Sequence, residues 1–261
     1  MPTLFLHGGP GFHARVERAW FGDALPIRWW DQPPSLPRDD APMRALVAAA
    51  AGEVRALAAA AGTPVSLVAH SFGGQVARDL ADTIPDSIGR IVLLGCAFDP
   101  ASAYLRFGEA LMAAGSGTEE LARALAAARA RLGGDVLLAV VAASFGAPAA
   151  LRHYFAPRSE AVAARYIAEL VAGTVIDFDT LAAVLRDRHG HAPAISPSAF
   201  AGPVEFVFGD ADPVCAPEAD LAAWWRVFPQ VDSRIVASGH MIHVETAPEA
   251  WFSPGRAAAV A

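Results

Sequence analysis

At 261 residues, 54% of them hydrophobic, the chain is long enough to bury a large core and apolar enough to cover a sheet on both faces. Its net charge of −7, from 20 basic and 27 acidic residues without long runs of either sign, excludes the electrostatic footprint of a nucleic-acid binder. Two cysteines, Cys96 and Cys215, form neither a CxxC motif nor a disulfide framework and read as small buried residues near strand ends. Met1-Pro2 leads straight into an apolar run with no basic n-region, so no secretory signal is expected and the reading is cytoplasmic. A membrane span is not expected either, because the longest apolar stretches read as alanine-rich amphipathic helices.

The first predicted element is a strand, Thr3-Leu4-Phe5-Leu6, which ends in the glycine-rich loop His7-Gly8-Gly9-Pro10-Gly11. Such a loop lets backbone amides approach a ligand closely. A second strand is expected at 27–30, where Trp29 and Trp30, like Trp20, read as core or pocket wall. A helix over 43–61 follows, and then Val65-Ser66-Leu67-Val68-Ala69 predicts a third strand turning sharply at Ser71 into a helix over 72–81. A serine on a tight strand-to-helix turn has its hydroxyl clear of the backbone and free helix amides beside it, and the turn demands small neighbours two residues either side. Ala69 and Gly73 meet that demand, although the usual pattern has glycine in both places. By themselves these residues fit a turn or N-cap serine as well as a nucleophile. His70, before the serine, reads as a brace for the turn.

A fourth strand is predicted at 91–94, after which about a hundred residues intervene before the next. This stretch reads as an insertion of short helices at 119–132, 135–143, 159–172 and 178–188. They are separated by Gly115-Ser116-Gly117, Gly133-Gly134 and Gly146-Ala147-Pro148. The fifth strand, 204–208, ends in Gly209-Asp210-Ala211-Asp212-Pro213 and is followed by a helix over 217–227. The sixth, 234–236, runs into Ser238-Gly239-His240, with a last helix at 247–251 or slightly beyond. A glycine loop, a serine, an aspartate and a histidine thus each fall just past the C-terminal end of a strand, where parallel sheets place their ligands.

In this order the chain resembles an α/β-hydrolase over nearly its whole length. The resemblance implies a three-layer α/β core, residues 1–98 and 199–261, with a mostly parallel sheet of about six strands. Residues 99–198 would form an inserted helical cap, and the antiparallel hairpin that often opens the family is missing. Residue by residue, Ser71 matches the nucleophile, Asp212 the acid of the G-x-x-D-P pattern and His240 the base of the G-H pattern. The amides of Phe72 and Gly9 match the oxyanion hole, and His7, Gly8, His70 and Phe98 are candidate substrate-binding neighbours. Chemically, the serine needs a proton acceptor, an imidazole serves near neutral pH, and a carboxylate fixes its tautomer. His243 is a rival base, and Asp210 and Asp99 are rival acids. His189 and His191 lack a third metal ligand and read as a solvated loop, so no metal is expected. No phosphate loop or dinucleotide fingerprint is present, and no cofactor is expected.

The loop His7-Gly8-Gly9-Pro10-Gly11 resembles that of the proline iminopeptidase branch, which usually has tryptophan where this chain has Phe72. That branch also needs cap acids for a substrate ammonium; Glu109, Glu160, Glu169, Asp177 and Asp179 are available, but acids on helices are normally solvated. The reading is hydrolysis of a small-to-medium apolar ester, thioester or lactone through an acyl-Ser71 intermediate, with a small molecule as the expected partner rather than nucleic acid or membrane. An iminopeptidase-like aminopeptidase, a carbon–carbon bond hydrolase or lyase using the same triad, and a slow-turnover ligand receptor stand as alternatives.

Overall fold

A computed structural model describes residues 1–34, 36, 39–173, 177–192 and 195–252. Its chain order is β1 (Thr3–Leu6), α1 (Arg15–Phe21), β2 (Ile27–Trp29), α2 (Pro42–Ala61), β3 (Val65–His70), α3 (Gly73–Thr83) and β4 (Ile88–Leu94). There follow α4 (Pro100–Ala113), α5 (Glu119–Ala130), α6 (Gly134–Phe145), α7 (Glu160–Gly173) and α8 (Phe178–Gly190). The chain then returns to the sheet through β5 (Val204–Gly209), α9 (Pro217–Trp225), β6 (Val231–Val236) and α10 (Ile242–Glu245).

The six strands form one sheet in the order β2-β1-β3-β4-β5-β6, and every adjacent pair is parallel. Side chains divide between its faces with a period of two. Leu4, Leu6, Leu67, Ala69, Leu93 and Phe206 join one core, whereas Phe5, Val68, Val92, Leu94 and Val207 join another. Helices cover both faces, which is why β3 is buried at every position. The first core includes α2, α3 and Trp224 of α9; the second is closed by Ala14, Ile242, Trp251 and Phe252. Burying side chains as large as Phe5, Phe206 and Trp224 stabilises the fold by about 1.5–3 kcal/mol each.

The chain crosses from β1 to β2 on one side and from β3 onward on the other, so the loops after β1 and β3 diverge over a crevice at their C-terminal ends. In register, Leu6 faces Ala69, His70 faces Leu94, and Gly209 faces Val236. Residues just beyond those positions therefore meet along one edge of the sheet.

Element identity follows the sequence expectation, with differences at ends and in short helices. The short α1 has no counterpart among the expected elements, because Arg15, Glu17 and Arg18 interrupt any clear apolar stripe. Neither has α4; it starts at Pro100 because Asp99 caps it, accepting from the amides of Ala101 and Ser102. β4 and β6 begin three residues earlier than expected. Arg90 and Arg234 both pair with Glu205 on the intervening strand, a charged row that an apolar-run criterion passes over. β2 ends at Trp29, before Trp30. The expected last helix is a single 3₁₀ turn, Pro248–Ala250, and any extension past residue 252 lies outside the described residues. Among the described residues, no helix is long and apolar enough to cross a membrane.

Candidate active site

β3 delivers Ser71 into a left-handed conformation, φ 52°, which costs a non-glycine residue about 1–3 kcal/mol. Neighbouring backbone over-determines the turn: the Ser71 amide donates to the Leu94 carbonyl at 2.9 Å, and the Ser71 carbonyl accepts from Gly74 at 3.0 Å. Smallness two residues on is a requirement of packing as well. A Cβ on Gly73 would lie 2.2 Å from the Leu6 carbonyl oxygen, because α3 starts directly against β1.

The Ser71 hydroxyl lies 2.8 Å from His240 Nε2, and His240 Nδ1 lies 2.9 Å from Asp212 Oδ2. Asp212 uses its other oxygen to accept the amides of Val214 at 2.7 Å and Cys215 at 3.3 Å. Burial by itself would push the Asp212 carboxyl up, but His240 and the Val214 amide hold it below the usual carboxylate value. Nδ1–H therefore donates to an ionised Asp212, and Nε2 is left to accept the serine proton. Glycine is needed at residue 95, which has φ 55° and where a Cβ would stand 3.0 Å from Asp212 Oδ2 and 3.1 Å from His240 Nδ1.

The His240 backbone is equally fixed. Its amide donates to the Tyr154 carbonyl at 2.6 Å, and its carbonyl is 3.0 Å from His70 Nε2. Burial, together with the neighbouring His243 and His240, pushes the His70 imidazole well down, so a neutral ring donates there. His70 thus ties the loop after β6 to the end of β3. Glu245 pins the same loop by accepting the amides of Gly239 and Ala156, both at 2.9 Å.

Two backbone amides, those of Phe72 and Gly9, have no hydrogen-bond partner among the described residues. Gly9 takes φ 67° to hold its part of the loop. A cavity of about 110 Å³ opens here, lined by His7, Gly8, Gly9, His70, Ser71 and Phe72 at one end and by Phe107, Phe145 and Leu170 on its walls. A serine, an imidazole in line with a buried carboxylate, and unpartnered amides beside an apolar cavity are groups that acyl transfer can use.

The remaining sequence candidates are placed elsewhere. Phe98 does not line this cavity. Its ring is held edge-on against Trp224 at 5.1 Å and under the Arg78 guanidinium at 5.0 Å, beside a different hollow. His243 turns away from the serine to Glu17, at 3.2 Å. Asp210 pairs with Arg158 and accepts the Ser238 amide, and Asp99 caps α4. His191 binds Asp187 at 2.8 Å on the surface, and His189 borders the hollow beside Phe98. Asp212, Cys215 and His240 bring possible metal-ligand atoms within 4.8 Å of one another, but two of them are engaged as described and burial pushes the Cys215 thiol well up. Trp29 and Trp30 are core, and Trp20 carries the Arg165 guanidinium 3.9 Å from its ring.

Four residues at the site carry no sequence signal of their role: Glu17, Tyr104, Tyr154 and Tyr166. Their partners are remote in the chain; Glu17 and His243 stand 226 positions apart, and no local pattern marks such a pair.

No protein-family model matches the chain, and no curated protein matches it in sequence. Solved structures do match it. The proline iminopeptidase-related protein of Thermus thermophilus aligns with a TM-score of 0.60 at 25% identity, covering 95% of this chain and 85% of that one. The thermophilic esterase of Thermogutta terrifontis aligns at 0.58 and 16% identity, over 94% and 84%. The proline iminopeptidase of Mycobacterium smegmatis aligns at 0.56 and 19% identity, over 95% and 85%. With its all-parallel sheet of six strands, the chain has the α/β-hydrolase fold. Within that fold it is similar to proteins described as esterases and as iminopeptidases.

Proposed function

We propose that the protein is a serine hydrolase that cleaves a small-to-medium apolar ester, thioester or lactone through an acyl-Ser71 intermediate. The observation that carries this reading is the unbroken line from Ser71 through His240 to Asp212 at 2.8 and 2.9 Å. The Ser71 oxygen attacks the substrate carbonyl while its proton passes to His240 Nε2. Negative charge gathers on the carbonyl oxygen, where the Phe72 and Gly9 amides stabilise it by about 3 kcal/mol per donor. His240 returns the proton to the leaving oxygen or sulfur, and water, activated by the same imidazole, releases the acid. No cofactor enters any step.

Residues 99–198 act in this reading as a cap, since α4, α6 and α7 supply Tyr104, Phe107, Phe145 and Leu170 to the cavity wall. An apolar wall excludes water from the acyl-enzyme and suits an apolar acyl group. The cap acids that an aminopeptidase would use do not line the cavity. Glu109 and Glu160 pair with Arg129 and Arg152, and Asp177 caps α8. The substrate we envisage is a soluble small molecule met in the cytoplasm.

A fluorophosphonate probe tests the reading: it should label Ser71, and Ser71→Ala should abolish both labelling and p-nitrophenyl ester turnover. A folded wild-type protein that is neither labelled nor active would sink the acyl-enzyme claim.

A further inference from the structure

One carboxylate interrupts the apolar wall of the cavity, that of Glu17 on α1. The residue is 3% exposed. Its Oε1 accepts the Tyr166 hydroxyl at 2.8 Å and His243 Nε2 at 3.2 Å, while Oε2 is buried with no partner. A buried charge is expensive unless a counter-charge accompanies it. Among the described residues, the basic group within ion-pair distance of Glu17 is His243 and no arginine.

His243 meets Glu17 through one ring nitrogen only. Its Nδ1 is buried without an acceptor, and its ring lies against His70 at 4.5 Å and Phe5 at 5.2 Å. His243 Nε2 is thus the one ring nitrogen that meets Glu17. Burial would push the Glu17 carboxyl up, yet the hydrogen bond and the charge interaction with His243, together with the Tyr166 hydroxyl, hold it below its ordinary value. Oε2 of Glu17 is left as a buried acceptor without a donor.

The site is not adjacent to the reacting carbon. Glu17 contacts His243, and the rings of His70 and then His240 follow in sequence before Ser71 is reached. The same cavity is lined by Tyr166, Ile167, Leu170 and Met241, which offer an alkyl chain a mostly apolar bed.

We propose that Glu17 is a specificity-determining residue that accepts a cationic group, an alkylammonium or guanidinium, carried by the substrate at some remove from the scissile carbonyl. This deepens the hydrolase reading and rests on it for the word substrate; the anion site itself stands on the geometry of Glu17.

Two measurements separate the claims. The first compares p-nitrophenyl 6-aminohexanoate with p-nitrophenyl heptanoate, which have similar chain length. The wild type should favour the amino ester through KM, and Glu17→Gln should lower that preference roughly ten- to a hundredfold. A variant that slows both esters equally would show a purely structural glutamate and overturn the proposal. So would a preference for an α-amino ester over the 6-amino ester, which would place the cation beside the carbonyl.

The second measures binding of hexylamine and hexanol to Ser71→Ala by calorimetry. Tighter binding of the amine supports the site even if no ester is ever hydrolysed, in which case the hydrolase reading fails and this one stands. Equal binding overturns it. If Glu17→Gln does not fold, the amine–alcohol comparison in Ser71→Ala decides the matter without it.

Discussion

Replacing Asp212 by asparagine probes the relay at its least forgiving point. Oδ1 of Asp212 accepts two backbone amides, from Val214 at 2.7 Å and Cys215 at 3.3 Å, so only an oxygen can occupy that position. The asparagine amide nitrogen is forced into the place of Oδ2, 2.9 Å from His240 Nδ1, and it donates where the carboxylate accepted. His240 must then carry its proton on Nε2, facing the Ser71 hydroxyl at 2.8 Å. A base with its proton already in place cannot take another, and the charge that would steady an imidazolium is gone. The loss expected for a wrong tautomer is about 10⁴ in kcat, or about 5 kcal/mol of transition-state stabilisation. Turnover of p-nitrophenyl butyrate and the rate of fluorophosphonate labelling should fall together, with the circular dichroism spectrum unchanged. An Asp212→Asn protein within tenfold of wild type would refute this reasoning and return Asp210 or Asp99 to contention.

Two further outcomes follow from the histidines. His240→Ala should cut kcat by orders of magnitude, whereas the cost of His243→Ala should fall on unfolding free energy, about 1–3 kcal/mol, because it strips a donor from buried Glu17; the reverse pattern would exchange their roles. His7 and His70 are both pushed below the ordinary imidazole value, in each case first by burial. The unfolded chain takes up these protons at about pH 6.5 and the folded chain only at lower pH, so stability is full above that value and is lost as pH falls. Calorimetry between about pH 8 and pH 5 should show Tm dropping as unfolding free energy is lost at no more than about 1.4 kcal/mol per pH unit for each histidine. His70→Gln should flatten the slope, and a Tm insensitive to pH across this range would contradict the neutral assignment. The depressed carboxyls of Asp212 and Glu17 act in a separate window, since their contribution holds above about pH 4 and fades below it.

Local chemistry made much of this legible in sequence. Ser71, Asp212 and His240 each follow a strand and have a glycine within three residues, because the tight turns around them leave no room for a Cβ, as at Gly73. Strand order along the chain then fixes which loops share an edge of a parallel sheet, and the resemblance to α/β-hydrolases singled out which residues of those loops would form the relay. What needed the tertiary structure was every partner chosen across the fold. His243 lies three residues from His240, yet the single turn of α10 points it to Glu17 on α1, while His240 meets a carboxylate that follows β5. Phe98 follows the strand next to the serine, yet Trp224 and Arg78 hold it outside the cavity. Turns and periodicity are properties of neighbouring residues and are written in order along the chain. The charge state and company of a buried side chain depend on whatever else is packed against it, and that is decided only when the helices close over the sheet.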